Sequence, residues 1–160
     1  MTSRIPLILS AFLVGAAPLG ATDGSQPTTL TPAEAWQANP ATQFDAGEVA
    51  LEDFKWIARP VVIFADTPAD PRFRQQIELL AARPEALAER DIVVITDTDP
   101  SARSDIRRKL RPRGFMLAIV GKDGGVKLRK PLPWDVREIS RSIDKMPLRK
   151  QEIRDRRLTE

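Results

Sequence analysis

No cysteine, histidine or tyrosine occurs in the 160 residues of this chain. The missing cysteine excludes a disulfide framework, a thiol nucleophile, a Cys-x-x-Cys redox pair, thiolate metal ligation and a lipid-modified cysteine behind a signal cleavage site. The missing histidine removes the usual general base and the commonest transition-metal ligand. Aromatic residues make up only 6% of the chain, and no apolar run reaches the roughly 18 to 20 residues that cross a bilayer. The chemistry left is that of carboxylates, Lys and Arg, hydroxyls, amides or bare surface.

What is present begins with Met1-Thr-Ser-Arg4 and an apolar stretch from Ile5 to Ala17 that ends in small residues, the pattern of a secretory signal peptide. Cleavage falls between Ala16 and Ala21, which makes the mature protein periplasmic or secreted, with no transmembrane anchor after cleavage. Basic residues number 25 and acidic residues 22, a net charge of +3 that falls to +2 when Arg4 leaves with residues 1–21. So balanced a chain gives no ground for a nucleic-acid partner. The expected plan is a signal peptide over 1–21, a flexible leader over 22–47 and a domain over 48–147. A charged helical tail follows over 148–160. Within the leader, Thr31-Pro32-Ala33-Glu34 has the N-cap, first-turn proline and acidic third position of a short helix over Pro32 to Ala38.

The domain is organised around Arg59 to Ala65, an apolar, β-branched run that reads as a strand buried on both faces. Asp70-Pro71 opens a helix whose inner line is Phe73, Ile77, Leu80 and Ala81. Ile92 to Thr96 is a second strand, and Asp99-Pro100 opens a second helix with Ala102, Ile106 and Leu110 inward. Phe115 to Val120, a Gly-Lys-Asp-Gly-Gly turn and Val126 to Arg129 form a hairpin. A last core helix carries Val136, Ile139, Ile143 and Met146. Strands joined by a helix are parallel and the tight turn makes the final pair antiparallel. The expected fold is α/β and thioredoxin-like: a mixed four-stranded sheet in the order β-α-β-α-β-β-α, with helices on both faces. Ile63, Phe64, Ile77, Val93, Ile95, Leu117, Ile119 and Ile143 are its expected deep core.

Several stretches taken together resemble a known family. They are Trp56 to Ala65, the glutamine at 75 or 76 before Leu79-Leu80, Glu89 to Ile95, Phe115 to Lys127, and Ile143-Asp-Lys-Met-Pro-Leu-Arg149, whose Asp-x-Met-Pro-x-Arg pattern is the most specific. Across residues 50 to 155 the chain resembles P-DUDES, a peroxiredoxin-like domain of unknown function found in bacterial exported proteins and animal extracellular-matrix proteins. The resemblance implies a thioredoxin-like fold and an extracytoplasmic compartment, and no established activity. Where redox relatives carry the active cysteine this chain has Thr67-Pro-Ala-Asp70-Pro-Arg-Phe73, and the facing position before the third strand falls near Gly114 or Phe115. A threonine hydroxyl does not replace a thiolate without a strong base beside it.

Asp66, Asp70, Asp97 and Asp99 all follow the carboxyl ends of the two parallel strands, where open α/β sheets carry their sites. Gathered together they offer oxygen ligands for Mg²⁺ or Ca²⁺; taken singly, Asp70 and Asp99 are helix N-caps. Arg111 and Arg113, with Lys109, precede the third strand on the same side and either bind an anion or pair with those aspartates. Arg149, Lys150, Arg154, Arg156 and Arg157 make the tail basic, with Glu152 and Arg156 spaced for an i, i+4 pair on a solvated face or for an anionic envelope surface. Trp36, Trp56 and Trp134 are expected as core or staple residues. No cofactor is implied. The expected function is that of a non-catalytic interaction or scaffold module with an unknown protein partner in the envelope or extracellular space. The alternative is a carboxylate-dependent cation-binding protein or enzyme using the aspartates.

Overall fold

The computed structural model describes residues 30–159; the expected signal peptide and the first part of the leader lie outside them. One mixed sheet of five strands runs through the centre. In chain order the strands are β1 (Gln43–Asp45), β2 (Arg59–Phe64), β3 (Ile92–Asp97), β4 (Met116–Val120) and β5 (Val126–Lys130). Their spatial order is β1-β3-β2-β4-β5, with β2 parallel to β3 and antiparallel to β4. The buried run therefore sits at the centre of the sheet, as its composition demands. The fifth strand is β1, which pairs in parallel with β3 from inside the stretch expected as a loose leader.

Side chains alternate across the sheet, so the two faces collect separate cores. Val62, Phe64, Val93, Ile95, Ala118 and Val120 meet Trp36 of α1 (Pro32–Ala38), Phe54, and Ile106 and Leu110 of α4 (Asp105–Leu110). Val61, Ile63, Ile92, Val94, Leu117 and Ile119 meet Leu80 of α2 (Pro71–Ala81), Leu87 of α3 (Pro84–Ala88), and Ile139 and Ile143 of α5 (Val136–Asp144). The C-terminal helix α6 (Pro147–Thr159) closes the end of the sheet at which β2 and β3 begin, its lower end. No helix among the described residues is long and apolar enough to cross a membrane.

Three local expectations are corrected. The innermost residues of α2 are Gln76 and Leu80, while Ile77 is only half-buried. Gln76 is buried because its amide pairs with one backbone unit, donating to the Trp134 carbonyl at 3.0 Å and accepting from its N–H at 2.7 Å. Asp99 opens only a 3₁₀ turn over Pro100–Ala102; Arg103 then takes a left-handed conformation (φ 47°) and Ser104 caps a separate α4. Trp36 is core, its indole N–H donating to the Ile92 carbonyl at 3.2 Å, whereas Trp56 stands out at φ 65° with 63% of its surface exposed.

Candidate functional site

β2 and β3 finish side by side, Phe64 against Asp97. Asp97 is charged yet only 4% exposed, so burial demands partners for both oxygens. Arg107 supplies them for Oδ1, donating from Nε at 2.9 Å and Nη2 at 2.7 Å, and the Ser104 hydroxyl donates to Oδ2 at 2.6 Å. The same Nη2 reaches the Ala65 and Asp97 carbonyls at 2.9 and 3.1 Å, which ties the ends of both strands to α4. Ser104 Oγ also accepts from the Arg107 N–H at 3.0 Å, so one hydroxyl caps the helix and fixes the carboxylate. The guanidinium lies 5.5 Å over the Phe64 ring, which screens the pair from water on that side.

The other aspartates do not join this group. Asp66 is 64% exposed and meets Arg107 only at 3.8 Å. Asp70 turns back on α2, accepting from the Arg72 N–H at 2.8 Å; the Arg72 side chain first, and that N–H second, hold its carboxyl below the ordinary range. Asp99 accepts from the Ser101 hydroxyl and N–H, which lower its pKa in that order. Among the described residues no three acidic side chains are placed to hold a metal ion. Thr67, in the loop that follows β2, accepts from the Ala69 N–H at 3.3 Å within a local turn. None of these contacts gives that hydroxyl a base.

The expected pairing of Arg111 and Arg113 with these aspartates is also corrected: Arg107, three residues into α4, takes that role, and Lys109 pairs with Glu52 at 2.6 Å. Arg111 ends α4 in a left-handed conformation at φ 50°. With Arg113, Arg129 and Lys130 it borders a cleft of about 240 Å³ backed by Phe115, Met116 and Pro131.

At the opposite end of the sheet lies an ionic network that the sequence expectations missed. Arg59, first residue of β2, is 1% exposed; it donates to Glu152 of α6 at 2.8 Å and to the Arg90 carbonyl at 2.9 Å. Lys122 bridges Asp91 at 2.8 Å and Glu152 at 3.2 Å, and Arg90 holds Asp144 through two bonds of 2.9 and 3.1 Å. Burial works against charged Arg90, but Asp144 and Glu89 outweigh it and its pKa is raised. Arg149 is 2% exposed and stands 3.4 Å from Glu152, with its Nε unbonded at 3.6 Å from Asp144. Glu152 thus faces inward to Arg59, Lys122 and Arg149, and not along the helix to Arg156; Arg149 is buried and not part of a solvated face. The spacing Asp144-x-Met-Pro-x-Arg149 was the signal: its two charged residues are the joint between α5 and α6.

The comparisons with known proteins agree with this fold. A Plasmodium vivax 2-Cys peroxiredoxin in its reduced form is similar over 66% of this chain and 86% of its own, with a TM-score of 0.52 and 14% identity. Plasmodium yoelii thioredoxin peroxidase I is similar over 65% and 81%, with a TM-score of 0.52 and 17% identity. Likeness at such identity establishes the thioredoxin-like fold and nothing of the chemistry. No curated protein matches the chain. Residues 50–152, from the lead-in to the central strand to the Glu152 that anchors α6, match a family defined by sequence, and the chain belongs to it: DUF4174, a domain of unknown function.

Proposed function

We propose that this is an exported, non-catalytic interaction domain on a thioredoxin-like scaffold. The observation that carries the reading is the Asp97, Arg107 and Ser104 knot: the buried polar groups at the carboxyl ends of the parallel strands are consumed in holding strands and helix together. A group for acid-base work must exchange protons with substrate, and a buried carboxylate with both oxygens bonded has little freedom to do so. Export rests on the signal-peptide pattern of residues 1–21, and the P-DUDES resemblance supports the same compartment and a periplasmic or secreted protein partner.

The competing reading, a hard-cation site on Asp66, Asp70, Asp97 and Asp99, has less support because two of the four are turned onto their own helices and one is bound by arginine. Affinity purification of the tagged, cross-linked mature protein from its native envelope tests the interaction reading. One partner recovered in stoichiometric amount is expected. Recovery of nothing beyond the tag control, together with turnover of a substrate by the purified protein, would overturn it. Intact-mass measurement of the same material tests export, which fails if Met1 to Ala21 remain attached.

A further inference from the structure

We propose that the cleft bordered by Arg111, Arg113, Arg129 and Lys130 docks an acidic peptide segment of a partner protein. This rests on the interaction reading above and deepens it by naming the partner's chemistry. The cleft has four cations and no carboxylate in its lining, and none of the four joins an ion pair among the described residues. The whole chain carries only +3, so this one cleft concentrates more positive charge than the molecule as a whole. Such a field attracts and orients an acidic partner during encounter.

Ordinary structural duties do not account for Arg111 and Arg113. Cations favour a helix C-terminus, but the last turn of α4 already holds Arg107, Arg108 and Lys109, and Arg129 Nη1 satisfies the Leu110 carbonyl at 2.7 Å. The buried aspartate beside them is served by Arg107. Edge strands are often blunted by outward lysines, yet Arg129 is turned back to α4, and Lys130 lies 4.6 Å from the centre of the Trp134 ring. Two of the cations are therefore held in place before any ligand arrives, which lowers the ordering cost of binding.

The layout favours an extended chain over a compact anion. Arg111 and Arg113 are alternate residues of the loop feeding β4, and Arg129 and Lys130 end β5, its hydrogen-bonded neighbour. As neighbours in a strand, Arg129 and Lys130 turn to opposite sides of the sheet, toward Leu110 and Trp134, so the four charges are spread around the rim formed by Phe115, Met116 and Pro131, with Leu132 exposed at 62% nearby. Apolar backing weakens screening by water and strengthens each charged contact.

The test uses the mature full-length chain and a fluorescein-labelled hexaglutamate amide, followed by fluorescence anisotropy at low salt, with hexaserine amide as control. Saturable binding of hexaglutamate alone is expected, weakening as salt rises. Reversing Arg111→Glu and Arg113→Glu should cost at least about tenfold in Kd, and the neutral Arg113→Gln should cost less. The same charge change placed on α6, Arg154→Glu with Arg156→Glu, should leave Kd unchanged; all four residues are exposed, and circular dichroism checks the fold. Equal loss from both double variants, equal binding of hexaserine, no saturable binding, or displacement by inorganic phosphate at the peptide's own affinity would each overturn the assignment. A partner captured equally well by the Arg111→Glu, Arg113→Glu protein would sink the cleft and leave the interaction reading intact. Hexaglutamate binding at the cleft with no partner captured would do the reverse.

Discussion

Glu152 illustrates how one carboxylate governs the lower end of the molecule. Burial raises its pKa, but the hydrogen bond and charge of Arg59, then those of Lys122, outweigh burial, and the net shift is downward. A folded-state pKa below the unfolded value of about 4.3 gives stability that is complete above the unfolded value and is lost as pH falls through the folded one. The gap in thermal midpoint between wild type and Glu152→Gln should therefore be constant through neutral pH and close as pH drops below about 4.3. A gap that persists at the acid end would mean that the charge of Glu152 is not what matters. Arginines at the same end should separate by magnitude. Arg59→Met breaks contacts of 2.8 and 2.9 Å and should cost about 3–5 kcal/mol. Arg149→Met, which removes longer contacts and an unbonded Nε, should cost about 1–3 kcal/mol in urea unfolding. An Arg149 variant less stable than the Arg59 variant would contradict this ranking.

α4 and the turn before it show where element boundaries come from. Ser104→Ala removes a helix cap and strips Asp97 Oδ2 of its donor, so a loss of roughly 2–4 kcal/mol is expected, largely restored in Ser104→Thr. If threonine fares no better than alanine, the hydroxyl is not the cause. Asp99-Pro100 suggests a continuous helix in sequence because cap signals are local; the break at Arg103 follows from a tertiary demand, the need to aim Arg107 at Asp97. β2, β3 and β4 were legible because strands buried on both faces are nearly all apolar. Gln43-Phe44-Asp45 was not, since three residues with one apolar side chain carry no period and become a strand only by pairing with β3 and placing Phe44 5.5 Å from Phe54. Gln76 escaped for a related reason: hydrophobic periodicity assigns an amide to the surface, and only the backbone of Trp134 makes it a core residue.

At the scale of the molecule, the two ends of the sheet have opposite characters. The lower end is a network of paired charges with α6 as its lid. The upper end joins a closed ion pair to an open basic cleft. The caps at Asp70 and Asp99 were readable from each Asp-Pro step. The choice of Arg107 over Arg111 or Arg113 was not, because it depends on the phase of a helix whose start the sequence misplaced. Calorimetric titration of Ca²⁺ and Mg²⁺ into metal-free protein should show no site tighter than about millimolar. Micromolar binding lost on Asp66→Asn would promote the cation reading.

The most direct test of the account asks whether the upper ion pair is structure or machinery, through a double-mutant cycle on Asp97 and Arg107 read by chemical denaturation. Asp97→Ala and Arg107→Ala should each destabilise by about 3–5 kcal/mol, and the double variant should cost less than their sum by about 1–3 kcal/mol, because the first loss already strands the second charge. Single variants that stay within about 0.5 kcal/mol of wild type would contradict the claim, for they would show two charges held in place for a ligand or a reaction instead of for the fold.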